Sequence, residues 1–106
     1  MALQRGDIWM HRFAPPDKQR PVVVLTRAGA LPHLRSVTVA PVTSTIRGMD
    51  SEVIIGPDEG LKRISAVNLN NVQTVDQRQL RHYVGHLDNL TMQAVCRALA
   101  IATGCD

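Results

Sequence analysis

Aromatic residues are scarce in this sequence. Trp9, Phe13 and Tyr83 make up 3% of its 106 residues. A nucleic-acid-binding protein that stacks bases on aromatic side chains needs more of them. If the partner is a nucleic acid, recognition must therefore depend mainly on charge and hydrogen bonds.

Cysteines and long apolar runs are also few. The two cysteines, Cys96 and Cys105, match neither a disulfide framework nor a zinc motif, and we expect no metal and no cofactor. We predict that Cys96 is a small core residue on the apolar face of a C-terminal helix. The N-terminus has no signal-peptide-like segment, and no apolar run reaches membrane-spanning length. We therefore expect a cytoplasmic protein without a membrane partner.

Lysine is the rarer cation. Ten of the twelve basic residues are arginines, and Lys18 and Lys62 are the two lysines; the net charge is +3 and the pI about 9.4. The planar guanidinium fork suits phosphate, which favours a polyanionic partner. An ordinary solvated surface carries a net charge of this size equally well. Charge alone therefore does not distinguish a polyanion-binding protein from one with an ordinary solvated surface.

The length and a hydrophobic content of 44% predict a single domain over residues 1–106. The run Pro21–Thr26 is rich in valine and predicts a strand buried on both faces. Pro41 within its strand predicts a kink or an edge position. The predicted strands are 6–13, 21–26, 36–42, 51–55, 65–69, 72–75 and 83–87.

The last segment changes to a helical period. Asp88 is a suitable N-cap and Gly104 a suitable end. The apolar positions between them follow the spacing of one buried helix face: Met92, Val95, Cys96 and Leu99. Short strands followed by one helix predict a mainly β fold, a small β-barrel with a C-terminal α-helix.

Several segments resemble, in order, the MazF/PemK family of toxin endoribonucleases. The opening RGDIW and the RPVVVL strand are similar to the first two strands of that family, and VAPVTS with the following IRG is similar to its third strand and loop. The matching stretches are Arg5–Trp9, Arg20–Leu25, Val39–Ser44, Ile46–Gly48, Glu52–Val53, Gly60–Lys62, Ser65, Thr74–Asp76 and the closing helix with Leu87.

The resemblance implies an SH3-like barrel of the MazF/PemK/CcdB type and a homodimer with an RNA groove across its interface. It implies a cognate antitoxin as partner. It also implies metal-independent, sequence-specific cleavage of single-stranded RNA. In that reaction the ribose 2′-OH attacks the adjacent phosphate and leaves a 2′,3′-cyclic phosphate and a 5′-OH, which inhibits translation and growth.

Two residues match catalytic positions of the family. Arg20 precedes the rigid strand and is assigned the phosphate clamp, because a guanidinium binds phosphate through two hydrogen bonds. Thr43 is assigned a hydrogen bond to a phosphate oxygen. Without the resemblance, Arg20 is an ordinary surface arginine and Thr43 belongs to a Ser/Thr turn that bonds its own backbone.

Further residues are assigned to RNA binding. These are Ser44, Arg47, Lys18, Asn71 and Gln73. Specificity for an RNA sequence is expected from the loops 14–19 and 45–51, through hydrogen bonds to splayed bases.

The general base has no match. The first loop holds Asp17 but no Glu, and the position where PemK-type members carry an acid holds Asn70, followed by Asn71. Amides bind RNA but do not take up a proton. His11 titrates near neutral pH and is an alternative base, although its neighbours Met10 and Phe13 favour a structural histidine.

Two other functions fit the same fold. The gyrase poison CcdB acts by binding protein, without catalysis, and a catalytically weakened relative would act as an RNA-binding module. The Arg20 and Thr43 pair favours the nuclease, whereas Asn70, Asn71 and Gln73 favour the weakened relative.

Overall fold

The computed structural model describes residues 2–16 and 18–106. Among these residues, seven strands and one α-helix follow one another, at boundaries within two residues of the predicted ones. They are β1 (Asp7–Arg12), β2 (Gln19–Val24), β3 (Ser36–Thr43), β4 (Glu52–Ile55), β5 (Ser65–Asn68), β6 (Gln73–Asp76), β7 (Arg81–His86) and α1 (Asn89–Thr103). Short 3-10 helices lie in the connections at Leu31–His33, Pro57–Glu59, Leu69–Asn71 and Gln77–Gln79.

The strands form one curled antiparallel sheet. Its order is β4-β5-β3-β2-β1-β7, and β6 pairs with β3 beside β5. The curl turns the sheet into a half-barrel, against which α1 packs. The predicted mainly β, small-barrel fold with a C-terminal helix is confirmed.

The valine run of β2 lies at the centre of the molecule. Val22, Val23 and Val24 are all fully buried. Val23 faces the core between the sheet and α1, whereas Val22 and Val24 face a second core on the other side of the sheet. The prediction of a strand buried on both faces is confirmed, and it explains how the start of β2 is held rigidly.

Pro41 marks a change of partner in β3. On one side β3 pairs with β2, and Pro41 is opposite Val22. On the other side Ser36–Val39 pair with β6 and Val42–Thr43 pair with β5. Pro41 lies between these two ladders, where a missing backbone N–H costs no strand pairing. The strand is therefore a central one, so the edge alternative for Pro41 is wrong, whereas the kink alternative stays a prediction.

Helix α1 begins and ends as predicted. The Asp88 carboxylate accepts the N–H of Thr91 at 2.8 Å, and Gly104 ends the helix with a left-handed φ of 74°. One prediction is wrong: Cys96 is exposed. The buried face runs through Met92, Val95 and Ala98, and it turns Cys96 outward.

The exposed Cys96 borders the N-terminal segment instead of the core. Its Sγ lies 3.0 Å from Nη2 of Arg5. In the described part of the chain, no helix is long and apolar enough to cross a membrane.

Candidate active site

An open groove of about 630 Å³ lies beside the ends of β2 and β3. Five of the residues selected from the sequence line it: Arg20, Thr43, Arg47, Asn71 and Gln73. Its other lining residues are the polar Thr45, Glu52, Asn68 and Asn70 and the apolar Phe13, Pro41 and Val72. Residues from β2, β3, β5, β6 and their connections thus meet at one surface.

Two selected residues are not among those that line the groove. Lys18 and Ser44 are both exposed on the chain segments that flank it. Their role in RNA binding stays a prediction. Asp17, the carboxylate of the first loop, lies outside the described residues.

Arg20 is the second residue of β2 and is partly buried. Its backbone is fixed because the three valines that follow are packed into the two cores. No carboxylate of the described residues lies within ion-pair distance of its guanidinium. The guanidinium fork is therefore available to an anion in the groove.

Arg20 and Thr43 line the same groove. β2 and β3 pair antiparallel with Val22 opposite Pro41. Arg20 lies two residues before Val22, and Thr43 lies two residues after Pro41. Continued toward this end of the two strands, the register would bring both side chains to one face, with Cβ atoms about 5 Å apart.

Among the described residues, the Thr43 hydroxyl takes part in one hydrogen bond. Its Oγ1 accepts the backbone N–H of Thr45 at 3.1 Å. That bond uses a lone pair of the oxygen and leaves the hydroxyl proton free to donate. The turn-forming role and a role in binding a phosphate oxygen are thus compatible.

Asn70 supports the groove wall. Its Nδ2 donates to Oγ of the buried Ser51 at 2.7 Å, and its backbone N–H donates to Oδ1 of Asn68 at 2.9 Å. Asn71 and Gln73 are exposed on the same wall. The amide at position 70 therefore has a structural contact that the sequence did not reveal.

Glu52 is the one carboxylate among the described residues that line the groove. Its Oε1 accepts the backbone N–H groups of Arg47 at 3.1 Å and Met49 at 3.2 Å. In the sequence, Glu52 stands out only as the start of a strand. The sequence pattern that could have indicated a role for Glu52 is its position between an irregular polar segment and the β-branched residues of a strand.

His11 is a neighbour of two groove residues, Arg20 and Phe13. It is 6% exposed, is opposite Arg20 in the β1–β2 pair, and meets the edge of Phe13 at a ring-centroid distance of 4.6 Å. Burial lowers its pKa, and its Nδ1 is buried without a hydrogen-bond partner in the described structure. The prediction of a structural histidine agrees with this burial, and His11 is not among the groove residues.

A second cleft, of about 840 Å³, lies on another face and includes Arg5, Arg35 and Arg78. The Arg5 guanidinium donates to the carbonyl of Leu25, and Arg78 forms an ion pair with Asp76 at 3.0 Å. Because two of the three guanidinium groups already have partners, this cleft is the poorer anion site. Among the described residues no group of three His, Cys, Asp or Glu side chains is arranged to hold a metal ion.

These features define a class of protein: a small half-barrel with a polar groove that is lined by two arginines and a threonine. The family model for the PemK-like, MazF-like toxins of type II toxin–antitoxin systems matches residues 4–103. The chain belongs to this family, and the resemblance noted in the sequence is confirmed.

Individual relatives agree with this assignment. The chain is 44% identical over 102 residues to the probable endoribonuclease MazF5 of Mycobacterium tuberculosis, which covers 95% of this chain and 93% of that protein. It superposes on the Mycobacterium tuberculosis toxin MazF-mt6 with a TM-score of 0.87 at 37% identity, covering 94% and 98% of the two chains. A mycobacterial endoribonuclease in complex with its cognate antitoxin gives a TM-score of 0.86 at 25% identity, covering 99% and 98%.

Proposed function

We propose that this protein is the toxin of a type II toxin–antitoxin system and an endoribonuclease that cuts single-stranded RNA without a metal ion. The observation that carries the proposal is that Arg20 and Thr43 line one groove. Family membership and the endoribonuclease names of the relatives support it.

Arg20 and Thr43 supply charge stabilisation. The 2′-hydroxyl of the ribose loses its proton to water, and its oxygen forms a bond to phosphorus as the bond from phosphorus to the 5′-oxygen breaks. The 5′-oxygen takes up a proton from water, which gives a 2′,3′-cyclic phosphate and a 5′-OH. Negative charge grows on the non-bridging oxygens in this step. The Arg20 guanidinium binds these oxygens through its fork, and the Thr43 hydroxyl donates to one of them.

The remaining groove residues bind the strand. Arg47 adds a second positive charge, and the amides of Asn71 and Gln73 donate to and accept from base edges. Phe13 is the one aromatic residue among the described groove residues, so base stacking contributes little. The groove therefore selects its RNA mainly through charge and hydrogen bonds.

Family membership supports a proposal for the biological setting. In this proposal the toxin acts in the cytoplasm as one domain over residues 1–106, assembles as a homodimer and is inhibited by a cognate antitoxin. The relative solved with its cognate antitoxin and the similarity over almost the whole chain support this setting. The cleavage product chemistry requires no cofactor.

The test uses purified protein and a mixed RNA pool in EDTA, with cleavage sites and end groups mapped. We expect 5′-OH and 2′,3′-cyclic phosphate ends. Arg20→Ala should lower the single-turnover rate about a hundredfold or more. Arg12→Ala, on the exposed side of the neighbouring strand, is the matched control and should cut normally. Products with 5′-phosphate ends, or cleavage only with added metal, would contradict the proposal.

The wild type and Arg20→Ala also distinguish the nuclease from the two alternative functions, a weakened RNA-binding relative and a gyrase-binding toxin. The absence of a carboxylate at Asn70 favours a catalytically weakened relative, which would bind RNA through Arg20 without cutting it. A gyrase-binding toxin would arrest growth equally well as the wild type and as Arg20→Ala, with cellular RNA intact.

A further inference from the structure

The connection between β3 and β4 is irregular but tightly held. Residues 44–51 contain neither strand nor helix, and they carry Arg47 into the groove. Ile46 and Met49 of this segment are 43% and 49% exposed, so packing into a core does not fix it. Hydrogen bonds must supply the order that packing does not.

One carboxylate oxygen provides the first constraint. Oε1 of Glu52 accepts the backbone N–H groups of Arg47 and Met49, at 3.1 and 3.2 Å. The backbone N–H of Glu52 donates in turn to the carbonyl oxygen of Met49 at 3.0 Å. Hydrogen bonds to an ionised acceptor are about twice as strong as those between neutral groups. The side chain thus folds the loop back onto the first residue of β4.

The neighbouring residue ties the same loop to the opposite wall. Ser51 is 4% exposed, and its Oγ accepts from Nδ2 of Asn70 at 2.7 Å. Its carbonyl oxygen accepts the N–H of Leu69 at 3.1 Å. Ser51 and Glu52 therefore fix the end of the loop while Glu52 also fixes its middle.

We propose that Glu52 is a positioning residue for the RNA groove: its carboxylate holds the backbone of Arg47 and Met49 so that the Arg47 side chain is placed for a phosphate before RNA arrives. This inference rests on the proposed function and adds to it a residue that acts through Arg47. A loop ordered in advance saves the free energy of ordering it on binding, which appears as tighter RNA binding.

The chain offers a matched control for this role. Glu59 makes a similar contact in another turn, where its Oε1 accepts the backbone N–H of Gly56 at 2.6 Å. Glu59 is not among the groove residues. Removing either carboxylate frees a backbone turn, but only the removal of the Glu52 carboxylate should weaken RNA binding.

The experiment measures the affinity for an RNA with a 2′-deoxy ribose at the cleavage site, together with single-turnover kinetics on the cleavable RNA. Glu52→Ala should weaken binding about tenfold and raise KM by a similar factor, with kcat changed by less than about threefold. Glu52→Gln should lose less affinity than Glu52→Ala, because its amide oxygen still accepts both N–H groups, although through weaker neutral hydrogen bonds. Glu59→Ala should bind RNA normally.

A double-mutant cycle tests the route through Arg47. Arg47→Ala should weaken binding as much as Glu52→Ala, and the double variant should bind no more weakly than either single one. Trypsin gives a readout without RNA: Glu52→Ala should be cut faster after Arg47 than the wild type or Glu52→Gln.

Each outcome bears on a different claim. Normal RNA binding by Glu52→Ala overturns the inference alone, and additive losses in the cycle do the same. A Glu52→Gln variant that binds RNA but no longer cuts it also overturns the inference, because it would assign proton transfer to Glu52. Wild-type protein that binds the RNA without cutting it, and loses affinity on Glu52→Ala, supports the inference and overturns the proposed catalysis.

Discussion

Nδ1 of His86 lies 2.7 Å from Oδ1 of Asp7 and connects the last strand of the sheet to the first. Asp7 is 4% exposed, and its other carboxylate oxygen accepts from Nε1 of Trp9 at 3.2 Å and from the backbone N–H of Gln4 at 2.9 Å. One buried side chain therefore joins the N-terminal turn, β1 and β7.

We expect Asp7→Ala to lower the free energy of unfolding by about 2–3 kcal/mol, since it removes three hydrogen bonds and leaves the buried Trp9 Nε1 without an acceptor. Chemical denaturation measures the loss. Asp58→Ala, an exposed site, should change stability little. Equal midpoints for Asp7→Ala and the wild type would show that Asp7 does not stabilise the sheet.

Thr43 allows a sharper test of the proposed chemistry. Thr43→Val keeps the shape of the side chain but removes the hydroxyl, and we expect single-turnover cleavage to fall about a hundredfold. Thr43→Ser keeps the hydroxyl and should retain most activity. Thr38→Val, on the same strand outside the groove, is the control. If Thr43→Val cuts as fast as Thr43→Ser, the hydroxyl has no part in catalysis.

Much of the fold follows from local signals. The valine run of β2 indicates burial on both sides because both faces of a central strand are covered, and Asp88 and Gly104 mark the helix by their capping chemistry. Helical period alone did not decide whether Cys96 or Ala98 faces the core, since both are one turn from buried positions. The change of strand partner beside Pro41 could not be predicted, because it depends on residues distant in sequence.

In the candidate site, too, some residues could be predicted from the sequence and others depend on contacts between distant parts of the chain. Family resemblance is what predicts Arg20 and Thr43 as site residues, and the structure brings both to one groove. Asn70 was noticed only as a missing carboxylate, because its contact with Ser51 joins residues 19 positions apart. The role of Glu52 depends on a loop that folds back, which no periodic pattern encodes.

His11 predicts a pH dependence of stability. Burial lowers its pKa below the ordinary value of 6.5, so the unfolded chain binds a proton more readily than the folded protein. This contribution to stability is therefore present above about pH 6.5 and is lost as the pH falls toward the folded pKa. His11→Phe, which does not titrate, should flatten the dependence of the free energy of unfolding between about pH 7 and 5.

The exposed His33 provides the comparison for His11. His33→Gln should keep the slope of the wild type when unfolding is measured by urea at a series of pH values. A His11→Phe slope as steep as that of His33→Gln would mean that burial of His11 does not make the protein sensitive to acid.

Gly85 of β7 lies against the turn at Pro57–Glu59, and a Cβ at this position would overlap the backbone carbonyl of Glu59. A carbonyl within a fixed turn cannot rotate away like the end of a flexible side chain, so the strand and the turn must separate. We expect Gly85→Ala to lower the free energy of unfolding by about 1–3 kcal/mol in urea denaturation. Gly29→Ala is the matched control, because a Cβ there meets nothing within 4 Å. Equal stability of the two variants would show that β7 and this turn are not in close contact in solution.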